Sequence, residues 1–128
     1  MKKRCILLVD DDETQLRTFQ EILQEAGYLV ETATTGEQAL DKVKTARFDL
    51  VVLDIKLPDI LGDEVARLLR RQDEKSGIIL MTGYRSFQDC IDALDIGINE
   101  ILLKPIEPDE LLRATKDSLD SSMTLLRC

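Results

Sequence analysis

The sequence predicts a doubly wound α/β domain built on a five-stranded parallel sheet. Three observations lead there. Short apolar runs recur five times along the 128 residues, and three of them, at Cys5–Val9, Leu50–Leu53 and Ile78–Met81, are unbroken, as strands buried on both faces are. Each run is followed by a segment whose apolar residues recur at helical spacing. Breaks rich in Gly, Pro, Ser and Thr separate the segments. Strand–helix alternation of this kind needs helices on both faces of the sheet.

Cys5 to Val9 is the first run. Leu16, Phe19, Ile22, Leu23 and Ala26 then mark one face of a helix over Glu13 to Ala26, and Gly27 suits the position just past its end. Tyr28 to Ala33 is a second, weaker strand. Thr35-Gly36 turns into a helix with Ala39, Leu40 and Val43 on one face. Asp49 to Leu53 is the clearest buried strand, and Pro58 to Gly62 a loop. Val65, Leu68 and Leu69 mark the third helix, and Ile78 to Met81 the fourth strand, opened by Ser76-Gly77. Ser86 can cap a fourth helix carrying Phe87, Cys90, Ile91 and Leu94, which Gly97 ends. Ile98 to Leu103 is the fifth strand. Pro108 suits the first position of a last helix with Leu111, Leu112, Thr115 and Leu119 inward. The expected strand order is the flavodoxin-like 2-1-3-4-5, with right-handed crossovers.

The length suits one domain over residues 1–128, with a core over about 4–120. The tail, Ser121 to Cys128, either extends the last helix or frays. Apolar residues make up 44% and aromatic residues 4%, so the core is expected to be mainly Ile, Leu, Val and Ala. The formal net charge of -8 argues against a nucleic-acid or anionic-membrane surface, because phosphates are bound by clustered Lys and Arg. Cys5, Cys90 and Cys128 have no metal-ligand spacing, and there is no His, so neither a disulfide framework nor a zinc site is expected. Met1 to Arg4 is basic, but the apolar run after it is too short for a signal peptide and stops at Asp10. No stretch approaches transmembrane length. The expected location is cytoplasmic.

In an open parallel sheet, sites form beyond the carboxyl ends of the strands, where the strand order reverses. Here that point lies between strands 1 and 3. Strand 1 ends in Asp10-Asp11-Asp12-Glu13, strand 3 in Asp54, strand 4 in Thr82-Gly83 and strand 5 in Lys104-Pro105. Carboxylates brought so close repel, so either their pKa values rise or a cation sits among them. Mg²⁺ suits such a site, taking one or two carboxylates and keeping waters that phosphate oxygens can replace; Mn²⁺ is an allowed substitute.

These residues resemble the CheY-like receiver domains of two-component signalling. The family's acidic pair matches Asp10 and Asp11. Its phosphoacceptor matches Asp54, within Val-Val-Leu-Asp-Ile-Lys-Leu-Pro-Asp-Ile-Leu-Gly. Its Ser/Thr matches Thr82 in Leu-Met-Thr-Gly, and its Lys before Pro matches Lys104-Pro105 in Leu-Leu-Lys-Pro. Each motif alone is weak; four in order, at the right spacing, are specific. The resemblance implies that Asp54 takes a phosphoryl group from a phosphohistidine on a sensor histidine kinase or histidine phosphotransfer protein. Mg²⁺ would be held by Asp10, Asp11, Asp54 and the backbone carbonyl of Lys56. Lys104 and Thr82 would bind phosphoryl oxygens, and the Lys104–Pro105 bond would be cis. The chain would act as a signalling switch promoting its own phosphorylation and dephosphorylation, not as an enzyme on another substrate. Its effector would meet the fourth helix, fifth strand and fifth helix. Phe87, Cys90, Ile91 and Leu94, where exposed, suit a partner or homodimer contact.

Two other readings compete. Asp10-x-Asp12-x-Thr14 resembles the first motif of haloacid-dehalogenase-type phosphatases, with Asp10 as nucleophile and Asp12 as acid/base. A degenerate receiver would be a binding module only. Individually, Asp12 or Glu13 reads as a helix cap, Asp54 as a turn residue, Thr82 as a strand residue and Lys104 as a surface lysine.

The chain departs from the family at one switch position. Three places before the Lys, where the resemblance implies an aromatic ring that moves with Thr82, stands Ile101. Ile has no ring to swing into the space that Thr82 vacates. Phosphorylation is therefore expected to be retained while the response at strand 5 and its flanking helices is smaller or differently routed. Amide hydrogen exchange on phosphorylated and unphosphorylated protein checks this, with Ile101→Phe as comparison. A wild-type response as large as that of the aromatic variant contradicts it.

Overall fold

The computed structural model describes residues 3–73, 75–83, 92–93 and 95–120. Its elements follow the alternation expected from sequence: β1 (Cys5–Val9), α1 (Glu13–Glu25), β2 (Leu29–Ala33), α2 (Gly36–Thr45), β3 (Leu50–Asp54), α3 (Gly62–Gln72), β4 (Gly77–Thr82), β5 (Glu100–Leu103) and α4 (Pro108–Asp120). Most of the helix expected between β4 and β5, including Ser86, Phe87, Cys90, Ile91 and Leu94, lies outside the described residues. Asp92, Ala93, Asp95 and Ile96 are helical.

All pairings are parallel, and the strand order is β2-β1-β3-β4-β5. Successive strand residues face opposite sides, and the two core clusters follow that parity. Leu7, Val9, Val51, Leu53, Ile78, Leu80 and Ile101 pack on the side of α2 and α3. Ile6, Leu8, Leu50, Val52, Ile79, Met81 and Leu102 pack on the side of α1 and α4. β1, β3 and β4 are covered on both sides, which is why they read as unbroken apolar runs. β2 is an edge strand with the burial of one, and Leu29 is half exposed. That edge position explains its weaker signal in the sequence.

Caps place the helices. The Asp12 carboxylate accepts from the N–H groups of Thr14 and Gln15 at 3.1 and 3.2 Å, so Asp12, not Glu13, caps α1. Such a cap contributes about 1 kcal/mol. At the other end Gly27, with φ +101°, donates to Gln24, and Tyr28 donates to Leu23. That is a Schellman closure. Gly97, with φ +87°, closes the segment before β5 in a related way, since the Gly97 and Ile98 N–H groups both reach the Ala93 carbonyl. Thr35 caps α2 by accepting from Gln38 at 3.0 Å.

Some expected inward positions differ. Ala26 is exposed, because it is the C-cap of α1, where the chain turns away from the sheet. On α4 the buried face is Leu111, Ala114, Thr115 and Ser118, with Leu112 and Leu119 half-buried at its margin. Leu111 and the smaller Ala114, Thr115 and Ser118 face the sheet, and Leu112 and Leu119 pack against the same core from the edges. Gly62 is the first residue of α3 rather than the last of a loop.

Gly62 is required for close approach, not for a left-handed backbone. A Cβ there would lie 2.3 Å from the Asp54 carbonyl oxygen and 2.6 Å from the Ile55 Cα. Both are backbone atoms that cannot swing aside. At Gly83 a Cβ meets nothing within 4 Å. Gly62→Ala is expected to destabilise by about 2 kcal/mol or more, whereas Gly83→Ala is expected to be neutral or slightly stabilising. Urea unfolding of the two variants checks the contrast, and equal midpoints would contradict it.

Candidate functional site

The carboxyl ends of β1, β3, β4 and β5 form one rim, and the sheet register decides what meets there. Val9 pairs with Leu53, so Asp10 and Asp54 follow as the next residues on adjacent strands. Asp10 continues the row of Ile6 and Leu8, and Asp54 the row of Leu50 and Val52. Both carboxylates therefore emerge on the same side of the sheet. They are buried, with 1% and 7% of their surface exposed. Asp11 is exposed beside them. Carboxylate oxygens of Asp10, Asp11 and Asp54 lie within 4.8 Å of one another.

Lys104 arrives from the end of β5. Its N–H donates to the Thr82 carbonyl at 2.7 Å, extending the β4–β5 ladder by one bond. Its Nζ lies 2.6 Å from Asp54 Oδ2 and 3.4 Å from Asp10 Oδ2. One ammonium thus faces two buried carboxylates, with a third carboxylate at the mouth.

Burial pushes the Asp10 carboxyl above its ordinary value of 3.8, with Asp54 adding to the rise. The Asp12 N–H, donating to Asp10 Oδ1 at 3.0 Å, and the Lys104 charge only partly oppose this. Lys104 is raised above 10.5: burial alone would lower it, but the contacts with Asp54 and Asp10 together outweigh burial. The cluster holds its cation tightly and still carries surplus negative charge.

Backbone contacts fix the rest. The Lys56 N–H donates to Asp54 Oδ1 at 3.0 Å, orienting that carboxylate. The Ile55 N–H donates to Met81 at 2.9 Å and the Gly62 N–H to Ile55 at 2.7 Å, which folds the β3–α3 loop back on itself. Thr82, buried, ends β4 opposite Leu103. The Lys104–Pro105 peptide is cis. Ile101 is fully buried opposite Leu80, in the core on the α2 and α3 side, and is not part of the acidic cluster.

Three anchoring residues escaped the sequence reading. Asp59 accepts from the N–H groups of Gly36 and Glu37, both at 2.9 Å. Arg70 donates to the carbonyls of Ser76 and Gly97 at 2.7 and 2.8 Å, tying α3 to the loops flanking β4 and β5. Arg113 of α4 pairs with the buried Glu100 of β5 and with Asp117. Each bridges segments distant in sequence, and no local motif marks such a contact.

Comparison with known proteins places this arrangement. The chain matches the response regulator receiver domain family over residues 6–116. It is 38% identical over 124 residues to the transcriptional regulatory protein YkoG of Bacillus subtilis (strain 168), covering 97% of this chain and 54% of that protein. A CheY-like receiver domain protein of Methanospirillum hungatei JF-1 superposes with TM-score 0.89 at 35% identity, over 93% of this chain and 95% of that one. The BeF3-activated receiver domain of DrrB, a Thermotoga maritima protein, superposes with TM-score 0.85 at 31% identity, over 94% and 100%. The chain spans about half or less of the length of the curated relatives it matches. With its strand order, its acidic rim and these likenesses in agreement, the chain belongs to the response regulator receiver domain family of two-component signalling.

Proposed function

We propose that Asp54 accepts a phosphoryl group from a phosphohistidine on a sensor histidine kinase or histidine phosphotransfer protein. The phosphorus–nitrogen bond of the donor breaks as a bond to an Asp54 oxygen forms. The observation that carries this reading is the convergence of three carboxylates, two of them paired with one lysine, at the switch in strand order.

The residues fit a hard divalent cation: carboxylate oxygens close together, surplus negative charge, and an Asp10 carboxyl raised by burial. Asp10, Asp11, Asp54 and the Lys56 carbonyl would hold Mg²⁺, or Mn²⁺ in its place. When bound, the ion supplies positive charge that offsets the carboxylates and the equatorial phosphoryl oxygens. Lys104, already on Asp54, takes one phosphoryl oxygen, and the Thr82 hydroxyl takes another. Both stand on strand ends whose rigidity keeps the attacking oxygen in place. The chain then acts as a single switch domain over residues 1–128 in the cytoplasm. It signals to an effector through the β4–β5 connection, β5 and α4. The match to the receiver family leaves the dehalogenase-type reading, with Asp10 as nucleophile, without support.

Incubation with acetyl phosphate and Mg²⁺ is expected to add the mass of one phosphoryl group to the intact protein. Chelation of the metal or Asp54→Asn should abolish the gain. Label kept in Asp54→Asn and lost in Asp10→Asn would favour the phosphatase reading instead, and no label under any condition would favour a binding module.

Because its folded pKa is raised, ionised Asp10 opposes folding at neutral pH, and that penalty fades as pH falls toward 3.8. Metal-free Asp10→Asn is therefore expected to melt higher than wild type at pH 7, with the difference shrinking in acid. Mg²⁺ at a hundred times its Kd should stabilise wild type by about 2.7 kcal/mol and the variant far less. Calorimetric melts with and without Mg²⁺ check both expectations.

A further inference from the structure

Three loops surround the acidic rim: Asp10–Asp12 after β1, Thr34–Thr35 after β2, and Ile55–Leu61 after β3. The first is tied to the end of β2, since the Asp10 N–H donates to the Ala33 carbonyl at 3.1 Å. The third is tied to the start of α2 by one side chain. Asp59, at the far point of the β3–α3 loop, accepts from the N–H groups of Gly36 and Glu37 at 2.9 Å each.

A second observation shows how closely these loops are held. A Cβ on Gly36 would lie 2.8 Å from Val65 Cγ2, 3.3 Å from Ile60 Cβ and 3.4 Å from Asp59 Oδ1. A side chain at residue 36 would press on Val65 of α3 first and, less closely, on Ile60 and Asp59 of the β3–α3 loop. The loop itself is short and closed, with Lys56 and Leu61 forming an antiparallel bridge across its neck. A displacement at Asp59 therefore reaches Lys56 with little slack to absorb it.

We propose that Asp59 is a positioning residue for the acidic site: by clasping the start of α2, its carboxylate sets where the Lys56 carbonyl stands relative to Asp10 and Asp54. This rests on the reading above, that Lys56 and the three carboxylates hold a divalent cation. The bonds from Glu37 and Gly36 also hold the Asp59 carboxyl below its ordinary 3.8, so it is ionised wherever the domain is folded near neutral pH. Asp59 need not touch the ion, because groups that orient ligands tune metal affinity from one layer out.

The test is calorimetric titration of Mg²⁺ into the full chain. Asp59→Ala is expected to weaken Mg²⁺ affinity by about tenfold or more. Asp59→Asn, which keeps one acceptor oxygen and serves if the alanine variant fails to fold, should fall between that value and wild type. Gly36→Ala should reproduce the loss by pushing the loops apart. Thr35→Ala, which removes the other cap of α2, should lower Tm but leave Mg²⁺ affinity at the wild-type value. Wild-type affinity in Asp59→Ala and Asp59→Asn overturns the proposal, as does an equal loss in Thr35→Ala, which would trace the effect to fraying of α2. If wild type binds no Mg²⁺, or Asp10→Asn binds it as well as wild type, the reading of the acidic site fails first. That outcome is distinct from failure at Asp59 alone.

Discussion

Asp10 and Asp54 stand side by side at the end of a parallel sheet, buried, with one lysine between them and a third carboxylate at the opening. Burial removes the water that would screen their repulsion, so the arrangement is unfavourable for a metal-free domain. The raised Asp10 carboxyl and the tightly held Lys104 are two expressions of that conflict. A structure keeps such a conflict only where the surrounding scaffold is rigid enough to enforce it. Much of the fold can be understood as that enforcement. Strands covered on both faces fix the register, and the register puts the two carboxylates on adjacent strands and the same side.

Rigidity alone does not orient a carboxylate, and the loops supply what the strands cannot. Asp12 turns the first loop into α1 while its N–H fixes Asp10. Lys56 donates to Asp54, and Gly62 lets α3 begin against the Asp54 backbone. Arg70 and the Glu100–Arg113 pair hold more distant parts of the frame. None of these contacts is with the outermost carboxylate, Asp11, which stays exposed where an incoming group would meet it.

Ile101 shows how a local substitution is read differently once its surroundings are known. In sequence it is only a missing ring. In the structure it is a fully buried member of the core on the α2 and α3 side, paired with Leu80. A branched aliphatic side chain there is confined by its neighbours and has no polar tip to draw it outward.

The sequence by itself determined the alternation of elements, their boundaries to within a few residues, and the four strand ends that carry charged or hydroxyl groups. Those properties are local: periodicity, glycine at helix ends, and an acidic cap at Asp12 or Glu13 follow from short-range backbone physics. It misjudged one margin, Ala26, which is exposed where the chain turns away from the sheet at the end of α1. Only the tertiary structure decided which N–H groups Asp59 accepts, which carbonyls Arg70 reaches, why residue 62 must lack a side chain, and how close Lys104 comes to each carboxylate. Those are contacts between segments far apart in the chain, and their distances depend on the packing of the whole domain rather than on any stretch of residues within it.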